Sequence, residues 1–131
     1  MMITPDLSDT IVAISTAAGE AAIAMVRLSG PKAFQIAQTL SGIDFMKKDS
    51  HSQSFAQIKD EADILDEVLI GVFKSPRTYT RQDMIEISCH GSLYIQQRLM
   101  EMILGLGARM AKPGEFTMRA FLNGSMDLTQ A

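Results

Sequence analysis

The alternation of apolar and polar positions divides the chain into short strands and three helices. Residues 10–15 (TIVAIS) and 22–28 (AIAMVRL) predict two strands, joined by a small-residue turn over 16–21 in which Gly19 makes the bend. Ser29-Gly30-Pro31 predicts a helix start with Ser29 as a cap candidate. Ala33, Ile36, Ala37 and Leu40 then form one apolar stripe. Residues 41–53 are polar and irregular and predict a loop, followed by a strand over 54–59 and a turn over 60–64. Residues 65–74 (LDEVLIGVFK) predict a strand whose apolar run, Val68 to Phe73, barely alternates, the mark of a strand covered on both faces. After a break at Ser75-Pro76-Arg77, residues 83–89 (DMIEISC) predict another strand. Gly91-Ser92 opens a long helix with Ile95, Leu99, Met102, Ile103 and Leu106 on one face, ended by Gly105 and Gly107. A short strand over 108–111, a turn at Lys112-Pro113-Gly114 and a helix over 115–122 follow, stopped by Asn123-Gly124. The fold class expected is α+β: a mixed sheet of about five or six strands with three helices.

Asp127 followed by Gln130 is a helix-opening pattern, and the sequence stops within it. One turn of helix does not hold itself together in water, so the chain is expected to be a piece of a larger protein. Residues 1–122 are expected to form one domain, and 123–131 the beginning of a second, helical one.

Composition narrows the function classes. The length of 131 residues suits one domain, and 47% apolar with 21% charged residues is ordinary for a globular chain. Ten methionines and no tryptophan are unusual, and most of the methionines are expected to fill the core. A net charge of −3 argues against broad nucleic-acid binding by this region alone. A single cysteine, Cys89, excludes an intrachain disulfide. The first ten residues lack a signal-peptide pattern and no apolar run approaches the ~20 residues of a membrane span, so a cytoplasmic location with no membrane partner is expected.

The common catalytic signatures are absent. The sequence holds no phosphate-cradling G-x-x-x-x-G-K-[ST] loop and no G-x-S-x-G elbow, and Gly105-Leu106-Gly107 lacks the third glycine of a dinucleotide fingerprint. Two histidines and one cysteine show no metal-ligand spacing, and Asn123-Gly124-Ser125 marks only a turn. No catalytic residue is assigned. Three features remain. Arg27 is a charge in an apolar strand, on the face of Ile23 and Met25: either a packed stem with its head in water, or a guanidinium for a ligand. Glu86 lies mid-strand on the face of Met84 and Ser88. A carboxylate there is costly unless that face is wet, paired with an arginine such as Arg27, or used. Used, its two acceptor oxygens match the paired N–H donors of a pterin- or guanine-like edge. Cys89-His90-Gly91-Ser92 occupies a strand-to-helix turn. There Cys89 is expected to be a buried small hydrophobe, and His90 a turn residue with no carboxylate partner that can be named.

Four stretches carry a family resemblance: residues 9–30 (DTIVAISTAAGEAAIAMVRLSG), 75–92 (SPRTYTRQDMIEISCHGS), 107–124 (GARMAKPGEFTMRAFLNG) and 126–131 (MDLTQA). Together they resemble the N-terminal domain of the MnmE (TrmE) family of tRNA-modifying GTPases, and PGEFTMRAFLNG is the most specific of them. The resemblance implies a folate-binding-domain-like fold that binds a tetrahydrofolate derivative (5-formyl- or 5,10-methylene-) and mediates homodimerisation. It implies a longer protein with a helical domain and an inserted GTPase domain using GTP, Mg²⁺ and K⁺. With the flavoprotein MnmG (GidA), that protein would modify the wobble uridine of tRNA at carbon 5. Carried over by motif, the family's R-[IL]-S-G arginine is Arg27 and the glutamate before its H-G pair is Glu86. Ser125 stands where L-N-x-K-x-D-L has its lysine, and supplies neither that charge nor that reach. Arg81-Gln82 stands where Gly-Glu is common. The cofactor-binding residues expected are therefore Arg27, Glu86 and the altered position Ser125. Two alternatives remain: a dimerisation scaffold with a degenerate folate site, and a free-standing folate-dependent one-carbon transferase.

Overall fold

The computed structural model describes residues 8–15 and 23–124. Strands β1 (Ile11–Ile14), β2 (Ile23–Ser29), β3 (Ser52–Asp60), β4 (Asp63–Phe73), β5 (Met84–His90) and β6 (Arg109–Met110) form one sheet in the order β3-β4-β5-β2-β1-β6. Neighbours are antiparallel except β1 and β6. Helices α1 (Ala33–Ser41), α2 (Leu93–Gly105) and α3 (Glu115–Leu122) complete the α+β architecture that the sequence led us to expect.

One face of the sheet carries the core. Alternate residues Ala24, Val26 and Leu28 of β2 and Ile85, Ile87 and Cys89 of β5 are buried with Leu99 and Ile103 of α2 and Ile36 and Ala37 of α1. Burying each large aliphatic side chain contributes roughly 1.5–3 kcal/mol, and this layer fixes which face of each strand points inward. The opposite face bears Met25, Arg27, Met84, Glu86 and Ser88, which leaves it open for chemistry.

Several elements depart from expectation. The run in β4 is covered on one face only: Val68, Ile70 and Val72 are buried, while Leu69 is 44% exposed. An unbroken apolar run reports low polarity, and here Gly71 rather than a second layer interrupts the alternation. Ser29 is the last residue of β2 and does not cap α1. The Lys32 N–H at the head of α1 is instead accepted by Thr10 Oγ1 at 2.8 Å, from the residue that precedes β1. Gly30 permits this approach, since a Cβ there would lie 2.6 Å from Thr10 Cα. The polar stretch 41–53 contains a 3₁₀ turn, Phe45–Lys47, whose Phe45 is fully buried. α2 and α3 begin where expected, with Ser92 Oγ accepting the Ile95 N–H at 3.1 Å. The 16–21 turn and the helix opening at Asp127 lie outside the described residues.

Candidate functional site

Antiparallel pairing of β2 and β5 sets Arg27 directly opposite Glu86. Cross-strand partners share a face, and this is the face away from α1 and α2. Arg27 Nη2 and Glu86 Oε1 stand 3.6 Å apart, each side chain about a quarter to a third exposed (32% and 23%). That distance is an ion pair without a hydrogen bond. Among the described residues no donor is hydrogen-bonded to the Glu86 carboxylate. Arg27 Nε is buried and unpartnered in the same sense, although Nη2 reaches Met25 Sδ at 3.9 Å. Buried polar atoms normally find partners, so this pair retains bonding capacity for a third molecule. On β4 the residue opposite Glu86 is Gly71, which has no side chain of its own to set against the carboxylate. The Phe73 ring lies close by, 3.1 Å from where a Gly71 Cβ would be.

Arg27 and Glu86 form the floor of a cavity of about 990 Å³. Phe73 and Met84 continue that floor. Tyr79, Arg77 and Arg81 from the loop over 74–83 and Phe116 and Thr117 of α3 complete the walls. The volume lies at the upper end of the ~300–1,000 Å³ range of small-molecule sites. The lining mixes aromatic side chains, Phe73, Tyr79 and Phe116, with charged ones, Arg27, Arg77, Arg81 and Glu86, a composition that suits a ligand carrying both an apolar ring and polar groups.

The loop is held from several sides. Asp83 Oδ1 accepts the Ser75 N–H at 2.9 Å, and Ser75 Oγ donates to the Arg81 carbonyl at 2.9 Å. Ser29 Oγ lies 2.7 Å from Thr80 Oγ1 and donates to Gln82 Oε1 at 3.0 Å. α3 supplies the rest: Tyr79 and Thr117 hydroxyls stand 3.0 Å apart, and Asn123 Nδ2 donates to the Thr80 carbonyl at 2.7 Å. Arg119, fully buried, donates to Gln82 Oε1 at 3.1 Å, to the Asp9 carbonyl at 2.8 Å and to the Asp9 and Glu115 carboxylates. Arg109 forks onto Glu115 at 2.8 and 2.6 Å and reaches Asp9 at 2.6 Å. These charge-assisted bonds, led by the one from Arg109, hold the Glu115 carboxyl down to about 2 and that of Asp9 below its ordinary range. The cluster ties α3 to the start of β1, and so sets the pocket wall.

His90 has the carboxylate partner that the sequence could not name. Asp66 Oδ1 lies 2.7 Å from His90 Nδ1, and Asp66 Oδ2 accepts the His90 backbone N–H at 2.8 Å. Asp66 is 24 residues away and reaches His90 only through the β4–β5 pairing. Cys89 is buried as expected, and burial pushes its thiol up to about 11. No group of three or more His, Cys, Asp or Glu that could hold a metal exists among the described residues. No helix among them is long and apolar enough to cross a membrane. Of the sequence-predicted site residues, Arg27 and Glu86 meet, and Ser125 lies outside the described residues. Phe73, Tyr79, Phe116 and the loop arginines went unnoticed, because nothing local in the sequence points them at Glu86.

Comparison with known proteins matches residues 10–125 to the family model described as "GTP-binding protein TrmE N-terminus". The chain belongs to the TrmE N-terminal family. It is 50% identical to the tRNA modification GTPase MnmE of Flavobacterium psychrophilum over 127 residues, covering 94% of this chain and 28% of that protein. The MnmE of Streptococcus suis is 52% identical over 133 residues, covering 99% and 29%. That of Cytophaga hutchinsonii is 50% identical over 125 residues, covering 95% and 27%. The chain thus spans less than a third of the length of these relatives. The TrmE match extends over both halves of the Arg27–Glu86 pair and over the α3 wall.

Proposed function

We propose that the chain is the tetrahydrofolate-binding and dimerisation region of a GTPase that modifies the wobble uridine of tRNA. The observation that carries the ligand part is Glu86. Its carboxylate lines the cavity beside the Arg27 guanidinium and accepts no hydrogen bond from the described residues, so it can take the paired N–H groups of a pterin. Phe73 and Tyr79 offer aromatic faces for the ring. A 5-formyl- or 5,10-methylene-tetrahydrofolate, once bound, supplies a one-carbon unit. The residues present bind and orient it.

The dimer part is supported by an apolar stripe on the open sheet face, where Ile23, Phe55 and Leu69 are 65%, 61% and 44% exposed. The stripe equally suits the alternative of a dimerisation scaffold with a degenerate folate site, and ligand titration separates the two. The tRNA and GTPase parts follow from the names of the relatives. Partnership with MnmG, a cytoplasmic location, use of GTP with Mg²⁺ and K⁺ elsewhere in the protein, and a boundary near residue 122 with a helical domain complete the proposal.

Isothermal titration with 5-formyltetrahydrofolate tests it. Saturable binding, lost in Arg27→Ala and in Glu86→Ala while both variants keep the parent's melting temperature, is the expected result. No heat of binding at millimolar ligand would defeat the folate reading, and sedimentation as a monomer would defeat the dimer reading.

A further inference from the structure

We propose, on the folate reading of the site, that His51 is a further ligand-binding residue of this pocket: its Nε2–H donates to a carbonyl oxygen of the ligand, and Ser50 is the positioning residue that keeps the proton on Nε2. His51 lines the same cavity as Arg27, Glu86 and Phe73, from the position that precedes β3. Its backbone lies in the left-handed region with φ of 65°, held there by its N–H, which donates to the Val72 carbonyl at 2.7 Å. Residues other than glycine are uncommon in that region, and one that lines a pocket points to a use for its side chain.

The ring is oriented by two neighbours. It stands at 87° to the Phe73 ring with the centroids 5.1 Å apart. Ser50 Oγ lies 2.8 Å from His51 Nδ1. That hydroxyl already accepts the Lys74 backbone N–H at 2.9 Å. One lone pair of Oγ is thus taken, and its own proton has Nδ1 as its acceptor among the described residues. A neutral imidazole that accepts at Nδ1 carries its proton on Nε2. Nε2 has no hydrogen-bond partner among the described residues, so this donor serves what fills the cavity. Glu86, when ionised, only accepts, and so leaves the oxygens of a pterin unserved. A pterin carries a ring carbonyl and a formyl group adds a second, and a neutral N–H suits either oxygen.

The test joins a spectrum to a titration. Two-bond nitrogen–proton spectra of the chain at ~pH 9 read the neutral tautomers of its two histidines. His51 should carry its proton on Nε2, and His90, whose Nδ1 faces the Asp66 carboxylate, on Nδ1. Ser50→Ala should admit the Nδ1–H form at His51 and leave His90 unchanged. Titration with 5-formyltetrahydrofolate should give a roughly two- to tenfold weaker Kd in His51→Phe, the net worth of one hydrogen bond. His51→Gln, whose amide N–H can replace Nε2–H, should stay within about twofold of the parent. Parent affinity in His51→Phe, or equal losses in His51→Phe and His51→Gln, would overturn the proposal and leave the folate reading standing. So would a His51 proton on Nδ1 in the parent, or one still confined to Nε2 in Ser50→Ala. Failure of the parent to bind would instead remove the folate reading, and the His51 contact with it.

Discussion

Arg119→Met removes the charge at the centre of the cluster behind the pocket while keeping a long apolar side chain in its place. Arg119 is fully buried and serves Asp9, Glu115 and Gln82 at once. Deleting one partner of a buried ion pair ordinarily costs ~3–5 kcal/mol, because a buried charge is left alone. Here the loss is smaller, since Arg109 still donates twice to Glu115 and once to Asp9. Asp9, 31% exposed, regains water as well. Methionine refills most of the volume. A destabilisation of about 2–3 kcal/mol follows, read as a fall in urea midpoint with an unchanged slope. A loss under ~1 kcal/mol would refute the reasoning, because the cluster would then be worth no more than ordinary surface pairs. The same variant removes one of the bonds that hold Gln82 in the loop beside the pocket, so ligand affinity should fall along with stability.

Acid acts on the same cluster. The Glu115 and Asp9 carboxyls are depressed in the folded chain, so the stability they confer is fully present above the ordinary carboxylate range. That stability drains away as pH falls from about 4.5 toward about 2. Roughly 3 kcal/mol should be lost through Glu115 over that window, as followed by circular dichroism, and a flat profile there would count against the pairing. Gly30→Ala drives a Cβ to within 2.7 Å of the Asp9 carbonyl at a φ of 139°, and should cost about 2–4 kcal/mol in thermal or urea unfolding. Cys89, buried and with its thiol raised to about 11, should resist a disulfide reagent at pH 8 until the chain is unfolded in denaturant.

The elements most legible in the sequence were those with local signals. α3 begins at Glu115 and ends at Leu122 because a Pro-Gly turn and an Asn-Gly stop bracket it, and α2 begins where Ser92 caps it. Arg27 and Glu86 stood out as charges that interrupt apolar strands, and a pair between them was one of the readings open for Glu86. Pairing between distant strands was not legible, since register depends on the whole sheet. For that reason the link from His90 to Asp66 and the capping of α1 by Thr10 came only from the fold. Phe45 was missed because one buried aromatic in a polar stretch has no periodicity to reveal it. The cavity walls were hidden for the same reason: Phe73, Tyr79 and Phe116 belong to three different segments that meet only in space.

The most direct measurement of the central claim is a crystal structure of the chain soaked with 5-formyltetrahydrofolate. The pterin should lie on the floor between β2 and β5, its paired N–H groups on the Glu86 carboxylate and its ring within reach of Arg27. Ligand density at any other site, or an empty floor at millimolar ligand, would contradict it.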